Sequence, residues 1–287
     1  MEFSAEAAAF RLYLVGGGKS AETAATYLRH LSQYHYWCVV ERVNLFTAKP
    51  LTLQRHIVDM LDGDYARATV NSRIAALKSF YRWLVLEGKK KGDPTRELKM
   101  HKEKVAVKEP FTEAEAKRLV GAAETTFERS IVLLLLGSGI RRAELIWLKV
   151  ADINWRAGTM LIHGKGLKQR HVAPGWAAMK ELSAYLQGRE YGQVFLWPGT
   201  GRPVSRSSLG RLLHGLEKRA GISNTFPHRF RATMICWLLA ERADLIAVSV
   251  AAGHSNLETT RRYQRAVEGQ RAVDVQRRLS LADRVAR

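Results

Sequence analysis

The sequence is short of the groups that organise disulfide, metal and membrane proteins. It holds two cysteines, Cys38 and Cys236, each inside an apolar helical stretch. That excludes a disulfide framework and fits small buried hydrophobes. No Cys/His spacing suggests zinc and no Asp/Glu cluster suggests Mg²⁺, so no cofactor is expected. No run of 18 apolar residues exists, and the opening MEFSAEAAAF lacks the basic and apolar regions of a secretory leader. A cytoplasmic, reducing setting is the expectation. Acid is scarce as well: 27 Asp/Glu stand against 46 Lys/Arg, a net charge of +19. With a pI near 10.2, the natural partner is a polyanion, nucleic acid first and an anionic membrane surface second.

The 287 residues suffice for two domains, and 46% hydrophobic residues with seven Trp argue against disorder. Residues 1–105 carry 17 Lys/Arg against 11 Asp/Glu, and residues 106–287 carry 29 against 16. Both halves are basic, which suggests a ligand gripped by both. The first hundred residues read as helices. SAETAATYLRHLSQYHYW starts at a plausible Ser20 cap, with Tyr27, Leu28, Leu31 and Tyr34 at helical steps. In ARATVNSRIAALKSFYRWLVLEG, Val70, Ile74, Leu77, Tyr81 and Leu84 form one stripe that Gly88 stops. Asn71, Lys78 and Arg82 lie on another face, either as a solvated surface or as contacts to a DNA backbone.

The polar, basic stretch 87–110 reads as an interdomain linker. The expected division is a helical DNA-binding domain over 1–100, a linker over 101–110 and a second domain over 111–287. In the second, Thr112 and Glu115 have capping-box spacing. SIVLLLL reads as a buried helix broken by GSG. TMLIH and RHVAP are β-prone, and GKGLKQ between them reads as a hairpin connection. GGGKS at 16–20 resembles the end of a phosphate-binding loop, but Tyr13 stands where that motif needs glycine and no strand precedes it. It reads as a helix–helix turn.

Five stretches place cationic or titratable groups in settings unusual for packing. GSGIRRAEL puts Arg141 after a glycine-broken turn, with Glu144 one turn on. HGKGLKQR puts Lys165 between glycines at a hairpin tip. FPHRFRATM puts His228 and Arg231 on one helix face. AAGHS puts His254 where a helix ends in glycine, and SNLETTRRY restarts a helix through a Ser255–Glu258 capping box and delivers Tyr263. Each alone has an ordinary explanation as a surface ion pair, a turn or packing. The order and spacing are what distinguish them.

That order, Arg…Lys…His-x-x-Arg…Gly-His…Tyr, resembles the tyrosine recombinase, or phage integrase, family over roughly 110–265. GSGIRRAELIWLKVADI looks like its first arginine box and HGKGLKQRHVAP its β-hairpin lysine segment. HRFRAT and AGHSNLETTRRY look like its two later boxes. Ala252 stands where leucine is usual and Ala232 where a second histidine is common, and RRYQRA lacks the usual Ile before the tyrosine and Thr-His after it. None of these departures removes a catalytic group. The resemblance implies a mainly α, two-domain DNA clamp: a helical core-binding domain, and a mostly helical catalytic domain with a small antiparallel sheet.

The chemistry fits these residue types. A phosphodiester under attack gains negative charge on its non-bridging oxygens, which Arg141 and Arg231 can hold by charge-assisted bonds. Tyr263 would attack, its phenol lowered below the ordinary pKa by nearby cations. The departing 5′-oxygen needs a proton, and Lys165 is the candidate acid, assisted by His228. His254 would donate a hydrogen bond to the phosphate, and Glu144 would support Arg141.

A core-binding pattern starting near residue 1 favours the Xer-like or transposon/plasmid resolvase types. The resemblance implies double-stranded DNA with inverted-repeat sites, a homotetramer on two paired sites, a possible accessory protein and no membrane partner. Integration of a mobile element, type IB topoisomerase activity and a non-enzymatic DNA-binding regulator are the alternatives. The tail 268–287 could form a helix, docked on a neighbouring protomer or folded back on its own domain.

Overall fold

A computed structural model describes residues 2–63, 65–102, 109–164, 168–279 and 282. The chain divides into two compact units, Met1–Val105 and Ala106–Arg287. In the first, helices α1 (Glu2–Gly16), α2 (Ala21–Val40), α3 (Pro50–Asp62) and α4 (Arg67–Leu86) surround one core. The Ser20 hydroxyl accepts the Thr23 N–H and fixes the start of α2. GGGKS is the turn joining α1 to α2, with Gly18 at φ +81°. The whole Val70–Leu84 stripe is buried, and so are Ala76, Phe80 and Trp83. The wider buried face follows because α4 packs against α1, α2 and α3 together.

The basic stretch after α4 is not free chain up to residue 102. Thr95 and Leu98 are buried, and Leu98 joins the core of the first unit. The Asn71 amide donates to the His101 carbonyl at 2.9 Å and accepts the His101 N–H at 2.8 Å. That residue therefore fastens the segment leaving α4.

The second unit holds α5 (Glu113–Gly121), α6 (Thr126–Ser138), α7 (Arg142–Trp147) and a sheet of β1 (Ile153–Asn154), β2 (Thr159–His163) and β3 (Gln169–Val172). There follow α8 (Trp176–Leu186), α9 (Arg206–Ala220), α10 (Pro227–Ala240), α11 (Leu245–Ala252) and α12 (Leu257–Arg278). The Thr112–Glu115 capping box opens α5. The strands run antiparallel in chain order, β2 meeting β3 from Met160↔Val172 to His163↔Gln169. The apolar α6 buries Ile131, Val132, Leu134 and Leu135 at the centre of the unit, against α8 and α10. A smaller cluster of Met234, Ile235, Leu239, Val248 and Ala252 locks α10 to α11, with Tyr263 and Val267 of α12 packed on it. The chain past 268 continues α12 as one helix to Arg278.

Candidate active site

The site begins where α6 stops. Gly139 ends that helix in the left-handed region at φ +55°, and a Cβ there would meet Met234 Cε at 2.5 Å. The chain turns sharply and sets Arg141 just before α7. The Glu144 carboxylate accepts both the Arg141 backbone N–H and its Nη1, each at 2.8 Å, while Arg141 Nη2 donates to the Gly253 carbonyl at 2.6 Å.

Arg231 reaches the same place from α10. It is buried, and donates from Nη1 to the Gly139 carbonyl at 3.0 Å and from Nη2 to the Ala252 carbonyl. Helix α11 ends at Gly253, φ +66°, which places His254 one residue beyond. His254 Nδ1 lies 2.8 Å from the hydroxyl of buried Thr260, and its ring stacks on Tyr263, centroids 6.3 Å apart. Helix α12 is capped by Asn256, whose side chain accepts the Glu258 N–H. The cap therefore sits one residue after Ser255, the position expected from spacing; both residue types cap well, so spacing alone could not choose.

Arg141, Glu144, Arg231, His254 and Tyr263 thus come together from three stretches distant in sequence: 141–144, the first half of α10, and 254–263. His228 lies exposed in the first turn of α10, three residues before Arg231. Lys165 lies outside the described residues. The residues on either side of that gap, Gly164 and Lys168, line a cavity of about 580 Å³ with Arg141, Gly253 and His254.

Arg170 was not anticipated. From β3 its Nη1 and Nη2 meet the two Glu144 oxygens at 2.9 and 2.8 Å, and its Nε donates to the Ala251 carbonyl at 2.9 Å. The signal was there: Arg170 precedes Val172 by two residues and so shares the inward face of the strand.

Burial and neighbouring charge oppose each other here. Burial pushes the Glu144 carboxyl up, but hydrogen bonds from Arg170 and Arg141 overrule it and hold the pKa at about 2. Burial, then Arg141 and Arg170, lower Arg231 to about 10, which leaves it charged at neutral pH. His254 falls to about 4 through burial and the three arginines. For Tyr263 burial wins: the phenol is raised, although Arg231 and Arg262 pull it down. The expectation of a lowered phenol is corrected on that point, because the depth of the ring cannot be read from adjacent arginines. Among the described residues, no group of three or more His, Cys, Asp or Glu could hold a metal ion.

Lys78 and Arg82 line a separate groove in the first unit, of about 330 Å³, with Tyr13, Lys19 and Tyr27. Asn71 does not line it; its amide is engaged with His101.

Gly253→Ala tests the crowding at the end of α11. Its φ is left-handed, and a Cβ would stand 2.9 Å from Arg170 Nη1. The variant is expected to lose about 1–3 kcal/mol of stability, read by thermal unfolding; a wild-type melting temperature would contradict the geometry.

The chain matches the phage integrase family over residues 109–269 and the phage integrase N-terminal SAM-like domain over residues 8–88. Tyrosine recombinase XerC of Lactobacillus delbrueckii subsp. bulgaricus is 32% identical over 213 residues, covering 69% of this chain and 72% of the relative. XerC of Lacticaseibacillus casei is 30% identical over 275 residues, covering 89% and 92%. Among solved structures, XerH site-specific recombinase bound to palindromic difH in a post-cleavage complex has a similar fold. Its TM-score is 0.72 at 18% identity, covering 88% of this chain and 79% of that one.

Proposed function

This chain belongs to the phage integrase family, as an Xer-like tyrosine recombinase, and from that premise we propose that Tyr263 carries the strand-breaking step. The observation behind this assignment is the convergence of Arg141, Arg231, His254 and Tyr263 at one place. The Tyr263 phenolic oxygen attacks a DNA phosphate and passes its proton to His228 as the P–O bond forms. The bond from phosphorus to the 5′-oxygen breaks, leaving a 3′-phosphotyrosine and a free 5′-hydroxyl. Arg141 and Arg231 stabilise the charge on the non-bridging oxygens, and His254 donates a hydrogen bond to one of them. Lys165 protonates the departing 5′-oxygen, and His228 assists proton transfer. The phosphotyrosine conserves the energy of the broken strand. A 5′-hydroxyl from the second duplex can therefore reverse the step without ATP or metal.

The partner is duplex DNA carrying inverted-repeat sites. Both basic units grip it, and Lys78 and Arg82 contact its backbone from the first. The +19 charge makes that binding strongly salt-dependent. Four protomers act on two paired sites to resolve dimers or cointegrates in the cytoplasm.

The assignment of the acid is tested by Lys165→Ala. Cleavage is expected to slow about 10²–10⁴-fold, and a 5′-thio leaving group, which needs no proton, is expected to restore most of the rate. Absence of rescue places the acid elsewhere.

A further inference from the structure

Three guanidiniums meet one helix end. The carbonyls of Ala251, Ala252 and Gly253, successive in the chain, accept hydrogen bonds from Arg170, Arg231 and Arg141 in that order. Carbonyls in the last turn of a helix lack intrahelical partners and lie at the negative pole of its dipole, which suits cations. The last turn of α11 is therefore a template on which arginines from three other elements are set at fixed offsets. His254 follows directly, so its position is set by the same turn.

The three arginines are not equivalent. The Arg141 side chain is 40% exposed, whereas that of Arg170 is 9% exposed. Arg170 engages Glu144 with both Nη atoms and α11 with Nε, so each of its nitrogens already has an acceptor. Gly253 packs on the guanidinium so closely that a Cβ would stand 3.0 Å from its central carbon. Glu144 in turn holds Arg141 through the backbone and the side chain. One carboxylate thus couples β3 to the start of α7, and one carbonyl couples β3 to the end of α11.

We infer that Arg170 is a positioning residue for strand cleavage, which fixes Arg141 through Glu144 and His254 through the last turn of α11 without itself contacting DNA. The inference rests on the reading of Arg141 and His254 given above. A bidentate fork is required here. A lysine supplies charge at one point and cannot bridge both Glu144 oxygens and the Ala251 carbonyl.

The test uses the full chain with a nicked suicide substrate. It measures DNA affinity and the single-turnover rate of covalent adduct formation at saturating DNA. Arg170→Ala is expected to cleave about 10²-fold more slowly with affinity within about threefold of wild type. Arg170→Lys should recover part of the rate. Because Arg170 acts partly through Glu144, Arg170→Ala with Glu144→Gln should lose less than the product of the two single losses. If Arg170→Ala fails to fold, Arg170→Lys alone decides: a rate below wild type at unchanged affinity supports positioning. A wild-type rate in either variant overturns the inference. So does weakened affinity with an unchanged rate at saturation, which would make Arg170 a DNA contact, and so does strict multiplicativity in the double variant. Arg141→Ala is run alongside. If that variant cleaves normally, the reading of the active site itself has failed, whereas normal cleavage confined to the Arg170 variants removes this inference alone.

Discussion

Tyr263→Phe is expected to bind its DNA site with near-normal affinity and to form no covalent adduct, the rate falling by at least about 10³-fold. The substitution removes one oxygen and leaves the ring. The stack on His254 and the packing against the cluster joining α10 and α11 therefore persist, and folding should change little. Burial raises the phenol in the DNA-free protein, so the free phenolate is a minor species at neutral pH. Arg231 and Arg262 pull in the opposite direction. The check is the adduct band on denaturing gels from a nicked suicide substrate, with binding measured in parallel. A persistent band would remove Tyr263 from the mechanism.

Arg231→Ala is expected to slow adduct formation by about 10²–10³-fold at saturating DNA and also to destabilise the protein. The two losses have separate origins. The first is the missing charge-assisted donor to the phosphate. The second arises because Arg231 is buried and bonds the carbonyls of Gly139 and Ala252; removing it leaves both acceptors unpaired, at about 1–3 kcal/mol. Arg231→Lys keeps the charge but cannot span both carbonyls and a phosphate, so its rate should remain well below wild type. Single-turnover rates and thermal unfolding of the two variants separate the contributions. Full activity in either would contradict the role given to this side chain.

The legibility of the site followed the range of its interactions. The break at Gly139 and the end of α11 at Gly253 are set by short local patterns, which a sequence displays directly. Arg141, Arg231, His254 and Tyr263 stand out only through the order and spacing of their motifs, and their meeting rests on long-range bonds such as that from Arg231 to the Gly139 carbonyl, 92 residues away. Arg170 belongs to a pair with Glu144, 26 residues earlier, and an arginine facing inward looks like any other until its partner is known. The raised Tyr263 phenol depends on burial against the cluster that joins α10 and α11, which the residues flanking the tyrosine do not display. In the first unit the Val70–Leu84 stripe was readable because helical periodicity is local. The engagement of Asn71 with His101 was not, because that contact spans 30 residues. The two-residue strand Ile153–Asn154 is too short to carry any alternation and exists through its pairing with Met160 and Thr159.

The most direct test of strand breakage by Tyr263 is to map the covalent bond. Wild-type protein is trapped on a nicked suicide substrate, digested with nuclease and protease, and the modified peptide is sequenced by mass spectrometry. The mechanism predicts a nucleotide joined through its 3′-phosphate to the peptide containing Tyr263. A phosphate on any other residue, or a linkage through a 5′-phosphate, would contradict it.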